Sequence, residues 1–218
     1  MNRNIPIIAL AAALGMAAAI AGCNHAAYWL HAFASPPTKT VNAECDQLPG
    51  KSVAIVIYAD QSVQYEYPTA RVELSASLSE ELKKHIDDVA VVGWRRVIKY
   101  QDSNAEWASM DKAKLGKLFN ADFVLYISLV EFALREPGSL NLYQGRITAD
   151  VSLYQTSAPP SRCCIWREDD IRVVHPQNSH GELLETNRQI QELSYKTVMA
   201  FATELGRKFY KHKVPKES

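Results

Sequence analysis

The chain has 218 residues, 47% of them hydrophobic, and carries 24 basic against 24 acidic side chains for a formal net charge of zero. That balance removes the electrostatic case for nucleic acid or an anionic lipid surface as a partner. The length suits one ordinary domain with its own core and short appendages.

Arg3 is the sole charged side chain before Lys39, placed where a secretory signal needs its positive start. Ile5 to Ala21 follows as an alanine-rich apolar run of 17 residues. That is the lower end of the roughly 17–25 residues of a spanning helix. It predicts a cleaved signal, with a retained anchor helix or a non-lipidated cut near Ala21 as the alternatives. Ile20-Ala21-Gly22-Cys23 resembles the lipobox of bacterial lipoproteins. The resemblance implies removal of residues 1–22 and a diacylglyceryl thioether on Cys23, usually with a third acyl chain on its amine. Each buried CH₂ contributes about 0.8 kcal/mol, so two or three chains hold firmly to a membrane. In that class an aspartate after the cysteine signals inner-membrane retention. Asn24 stands there instead, which implies an outer-membrane anchor facing the periplasm. Cutting after residue 22 leaves 196 residues with 23 basic and 24 acidic side chains.

Residues 23–50 mix small residues with Pro36-Pro37 and Pro49 and show no sustained period, which predicts a lipid-anchored linker. Tyr28, Trp29 and Phe33 suit the headgroup level or pack on the domain. Residues 51–213 then form the domain and 214–218 a tail. Val53 to Tyr58 is a continuous apolar run, expected as a strand covered on both faces. Pro68 suits a helix start, and Leu74, Leu78, Leu82 and Ile86 recur every fourth residue, with Glu80, Glu81, Lys83 and Lys84 elsewhere on the circumference. Val89 to Val92 is a short strand, and Trp94 to Gln101 is ambiguous. A further helix is expected from about Asn104 to Phe119, then a central strand from Ala121 to Phe132.

The second half changes character. Arg146 to Leu153 alternates apolar and polar residues, as in a strand with one face on the core. Ala158-Pro159-Pro160-Ser161 supplies a turn, and Cys163 to Val174 returns as its hairpin partner. Glu182 to His212 carries Ile190, Leu193, Thr197, Phe201, Leu205 and Phe209 at helical spacing, which predicts one long terminal helix. The expected class is α/β: a single mixed sheet with helices mainly on one face and a long carboxy-terminal helix.

This order, with Ser52-Val53-Ala54-Ile55-Val56, the passage Leu115-Gly116 through Ala121-Asp122-Phe123-Val124-Leu125, Gly145 and Ile165-Trp166, resembles the TolB amino-terminal-domain group. That group includes the curli-secretion and penicillin-binding-protein activator lipoproteins. The resemblance covers about Ser52 to Tyr210 and implies scaffolding or assembly in the envelope. The chain lacks the extra long amphipathic hairpins of the curli-secretion protein and shows no activator motif.

Candidates for chemistry are thin. Cys45, Cys163 and Cys164 are three thiols in an oxidising compartment. A bridge from Cys45 to Cys163 or Cys164 is one outcome, and buried or free thiols the other. Catalysis by cysteine with His85 or His175 lacks anything that joins base to nucleophile. Glu168-Asp169-Asp170 reads as a solvated hairpin end, and Trp94-Arg95-Arg96 with Lys99 and Tyr100 as a solvated basic-aromatic patch. His175-Pro176 and His180 sit in a loop, in a surface or capping role. No phosphate-cradling, dinucleotide, nucleophile-elbow or zinc-protease motif occurs. The sequence therefore assigns no catalytic, metal or cofactor residues, and only Cys23 as a modified site. The expected function is a non-enzymatic, membrane-anchored assembly or interaction module for another envelope protein or for itself. The alternatives are an accessory lipoprotein of an envelope transporter, or a small-ligand binder or weak hydrolase with a pocket near Pro137-Gly138 or His175 to His180.

Overall fold

The computed structural model describes residues 38–177 and 179–215. The leader, the lipidation site Cys23 and the aromatics Tyr28, Trp29 and Phe33 lie outside the described residues. The described residues divide between two units. A two-stranded sheet of β1 (Thr38–Val41) and β8 (His212–Pro215) belongs mainly to the smaller unit.

The larger unit, Val41–His212, is built on one mixed sheet. Its elements are β2 (Ser52–Ala59), α1 (Gln61–Glu66), α2 (Ala70–His85), β3 (Ala90–Val91), α3 (Trp94–Ser103), a 3-10 turn (Ala105–Ser109), α4 (Lys112–Phe119), β4 (Phe123–Arg135), β5 (Leu142–Gln155), β6 (Cys164–His175), β7 (Glu182–Leu183) and α5 (Asn187–Arg207). The strand order is β3-β2-β4-β5-β6, with β7 also on β5. β2 runs parallel to β3 and β4, while β5 is antiparallel to both β4 and β6.

Apolar patterning accounts for the layers. Val53, Ile55 and Ile57 of β2 join Leu74, Leu78 and Leu82 of α2 and Val198, Phe201 and Leu205 of α5 in the main core. Ala54 and Val56 point the other way, into a second core with Val97 of α3, Trp107, and Leu115 and Phe119 of α4. The mixed α/β sheet and the carboxy-terminal helix agree with expectation. Two expectations fail. A second, two-stranded sheet exists besides the mixed one. The helices are not mainly on one face either, because α3 and α4 cover the side away from α1, α2 and α5, as a strand as apolar as β2 requires.

Other boundaries differ for local reasons. Trp94–Ser103 is a helix. The helix expected from Asn104 to Phe119 breaks at Asp111, whose carboxylate accepts from the Ala113 and Lys114 N–H groups at 2.8 and 3.2 Å and so starts α4 afresh. The terminal helix begins only at Asn187, where Thr186 and Gln189 form a capping box, and ends at Arg207. Glu182-Leu183, assigned to that helix from sequence, instead pairs with Tyr143 and Leu142. The segment read as linker packs before Gly50, since Cys45 and Leu48 are core residues. Val214 and Pro215, read as tail, lie in β8.

Two glycines set how closely the layers approach. A Cβ on Gly145 would lie 1.8 Å from Thr197 Oγ1, where α5 crosses β5, and one on Gly116 would lie 2.0 Å from Thr156 Oγ1. The passage after Gly116 also has a physical account. Asn120 closes α4 at φ 54, and the Asp122 carboxylate accepts from the Ser52 N–H at 2.9 Å and the Ser52 hydroxyl at 2.8 Å. Those bonds tie the start of β4 to the start of β2.

Candidate interaction surface

β6 closes one side of the sheet, and among the described residues only β5 pairs with it. Along this twelve-residue strand about every other residue therefore turns its N–H and C=O outward. Such a row of donors and acceptors is a template for another strand. The edge is not uniform. The register shifts between Ala149 and Val151, so Asp169 and Asp170 together oppose Asp150. Asp170 takes φ 59 and its N–H donates to the Asp150 carboxylate at 3.0 Å. The bulge splits the edge into Cys164–Glu168 and Ile171–His175. Charges at Arg167, Glu168, Asp169 and Arg172, with the kink, discourage indiscriminate pairing.

Each half is anchored from beneath. Trp166 meets Phe209 edge to face at 5.1 Å, and Lys208 bonds Glu168 and Glu44 at 2.9 Å each. Ile171 and Val173 are buried in the main core. Beside the second half, β6 and α5 border an open groove of about 500 Å³. Its apolar floor includes Val174, Met199 and Ala200, and Arg172, Glu204 and Arg207 border it. Arg207 and Glu204 pair at 3.5 Å. Methionine in such a floor adapts readily to different surfaces.

Next to this edge the outer sheet face carries charge. Arg146, with its side chain 8% exposed, donates to Glu131 at 3.0 Å and to the Arg135 carbonyl at 2.7 Å, and lies 3.9 Å from Glu136. The pairing neutralises a cation held within the sheet and ties β4 to β5. Further along that face Tyr126 sits near Tyr58 and Tyr154, and burial foremost pushes its phenol up to about 12.

The residues singled out from sequence fall apart in space. Cys45, Cys163 and Cys164 are all free thiols, so the bridge from Cys45 is not formed. Burial raises Cys45 and Cys163 above the ordinary thiol range, which opposes thiolate chemistry. The acidic run lies at the mid-strand bulge, not at a hairpin end, because the β5–β6 turn comes before Cys164. The basic-aromatic patch keeps Arg95, Arg96 and Lys99 exposed, as a solvated face does; Arg96 also donates to the Leu118 carbonyl at 3.2 Å, closing α4, while Tyr100 packs edge-on against Phe119 at 5.5 Å. Pro137 and Gly138 form the β4–β5 turn, and His175 and Pro176 border a cleft of about 210 Å³ with Glu192 and Lys196. No group of three or more histidine, cysteine or acidic residues suited to a metal occurs among the described residues.

Sequence reasoning missed a buried acid. Glu81, read as surface, is buried where α2 meets α5, and Gly206 leaves room for it. The Tyr210 hydroxyl donates to its carboxylate, His85 Nε2 lies 3.6 Å away, and the His85 and Tyr210 rings stack at 4.5 Å. Burial, then the Glu81 carboxylate, raises the Tyr210 phenol well above its ordinary value. A clue was available: Glu81 and His85 are one turn apart, and Leu78 and Leu82 of the apolar stripe lie beside Glu81.

No protein-family model and no curated protein matches the chain. Solved structures similar to it include the PelC dodecamer from Paraburkholderia phytofirmans, at 8% identity and TM-score 0.43, covering 80% of this chain and 99% of that one. Lipoprotein GNA1162 from Neisseria meningitidis is 18% identical at TM-score 0.38, covering 68% and 95%. The hypothetical protein CT253 from Chlamydia trachomatis is 13% identical at TM-score 0.40, covering 72% and 91%. Identities and scores this low assign neither family nor activity. No helix among the described residues is long and apolar enough to cross a membrane.

Proposed function

We propose that this chain is a non-enzymatic envelope lipoprotein, tethered to the outer membrane through acyl groups on Cys23, that docks another envelope protein or a second copy of itself on the β6 side of its sheet. The observation that carries this reading is the twelve-residue β6 edge with the groove bordered by α5 beside it. An edge of that length, split by a bulge and rimmed with mixed charge, suits one shaped partner strand or loop better than open-ended stacking. The Ile20-Ala21-Gly22-Cys23 pattern supplies the tether.

Two measurements test the two halves of the proposal. Intact mass of the protein from its native host is expected to begin at Cys23 with added acyl mass; an uncut leader with an unmodified thiol overturns the anchor. A photo-crosslinking residue at Arg172, in intact cells, is expected to trap one discrete adduct. Light scattering of the detergent-solubilised full chain then tells self-association from a different partner. A monomer that yields no discrete adduct overturns the docking surface.

A further inference from the structure

The molecule has a second concave feature, away from β6. After β2 the chain leaves through α1 towards α2 on one face of the sheet, and after β3 it leaves towards α3 on the other. Connections that diverge in this way open a crevice at the carboxyl end of the parallel strands, the usual location of ligand sites in α/β sheets. A cleft of about 410 Å³ lies there. Its volume falls in the roughly 300–1,000 Å³ range of small-molecule sites.

The lining is polar and aromatic. Tyr58 and Trp107 form one wall, their ring centroids 6.1 Å apart and tilted by 58°. Arg71 pairs with Asp102 at 2.7 Å at the opening. Gln101, only 4% exposed, donates through Nε2 to the Ile57 carbonyl at 2.9 Å. Its Oε1 is buried and has no hydrogen-bond partner among the described residues. A buried acceptor left unpaired is costly, so this oxygen wants a donor.

Charge restricts what that donor can be. Asp102 is neutralised by Arg71, and one Asp60 carboxylate oxygen already accepts from the Val63 N–H at 2.9 Å and the Ser62 hydroxyl at 2.8 Å. No excess cation is present to hold an anion. Gln61 and Gln64 add neutral polar groups, and Gln64 is itself fixed to the Ala59 carbonyl at 2.6 Å. A neutral molecule with several hydroxyls matches this set: one hydroxyl for Gln101 Oε1, others for Asp102 and the glutamines, and a carbon face for Tyr58.

We propose that the crevice at the carboxyl end of β2 binds a small neutral polyol of sugar size, with Gln101 Oε1 accepting one of its hydroxyl protons. The site is independent of the β6 edge. Saturation-transfer NMR on the detergent-solubilised full chain, with D-glucose, N-acetyl-D-glucosamine and myo-inositol as probes, tests it. At least one probe is expected to receive saturation, and its affinity is expected to fall about tenfold or more in Gln101→Leu and in Tyr58→Ala. Tyr58→Ala alters only a partly exposed wall, so it decides the matter alone if Gln101→Leu does not fold. No transfer to any probe at about 10 mM, a concentration that detects even millimolar affinities, overturns the proposal. So does a probe that binds Tyr58→Ala and a folded Gln101→Leu as it binds the unaltered chain.

Discussion

The parallel and antiparallel halves of the sheet are built to different ends. β2 and the first half of β4 are covered on both faces, by α2 and α5 on one side and by α3 and α4 on the other. β5 and β6 are apolar on one face; on the other β5 holds the buried polar residues Arg146, Thr148 and Ser152, while β6 carries the exposed Arg172 and, among the described residues, leaves its outer edge unpaired. Cover on both faces gives stability and leaves nothing to bind with. An edge strand leaves backbone and exposed charge such as Arg172 available to a partner, at a lower local stability.

The contrast predicts a graded series. Leu125→Ala, at a fully buried position of β4, is expected to cost about 3–4 kcal/mol in urea unfolding. A loss below about 1 kcal/mol there would show that the doubly covered half is not the stable one. Gly145→Ala is expected to cost about 2–3 kcal/mol, because its Cβ would meet Thr197 and push α5 from the sheet. Thr197→Ala should recover part of that loss in the double variant, a coupling that a double-mutant cycle reads directly.

A smaller, pH-dependent effect is expected at Asp122. The Ser52 N–H, then the Ser52 hydroxyl, hold its carboxyl below the ordinary value. A depressed carboxyl stabilises the fold above its unfolded pKa of about 3.9, and the contribution is lost as the pH falls through the folded value. Asp122→Ala is expected to cost about 1 kcal/mol at neutral pH, the modest size reflecting its exposure, and close to nothing near pH 2. Smallest for stability is Arg172→Glu on β6, within about 0.5 kcal/mol by melting. Its effect should fall on association instead, with the crosslinked adduct at this edge weakened. A stability loss as large as that of Leu125→Ala would erase the distinction between the halves.

Much of the frame was legible because period and burial coincide. The unbroken apolar run of β2 and the alternation of β5 each state how many faces are covered. Leu74, Leu78 and Leu82 state which side of α2 faces inward. The interaction edge was hardly legible: alternation suggested one open face in β5, whose Arg146, Thr148 and Ser152 are instead buried, and nothing local says that β6 is last in the sheet. The bulge at Asp169-Asp170 looked like a hairpin end because charges cluster in both settings. Glu81 was misread because its partner Tyr210 and the space left by Gly206 lie about 130 residues downstream.

Residues acting through near neighbours were thus set by the chain itself, as in most of the strand and helix types. Tertiary structure alone decided which helices cover which face, which strand stands at the edge, and that Gln101 meets Tyr58 and Trp107 in one crevice. Those outcomes depend on packing between segments far apart in sequence. Periodicity records that a side chain is buried; only the assembled layers determine what it is buried against.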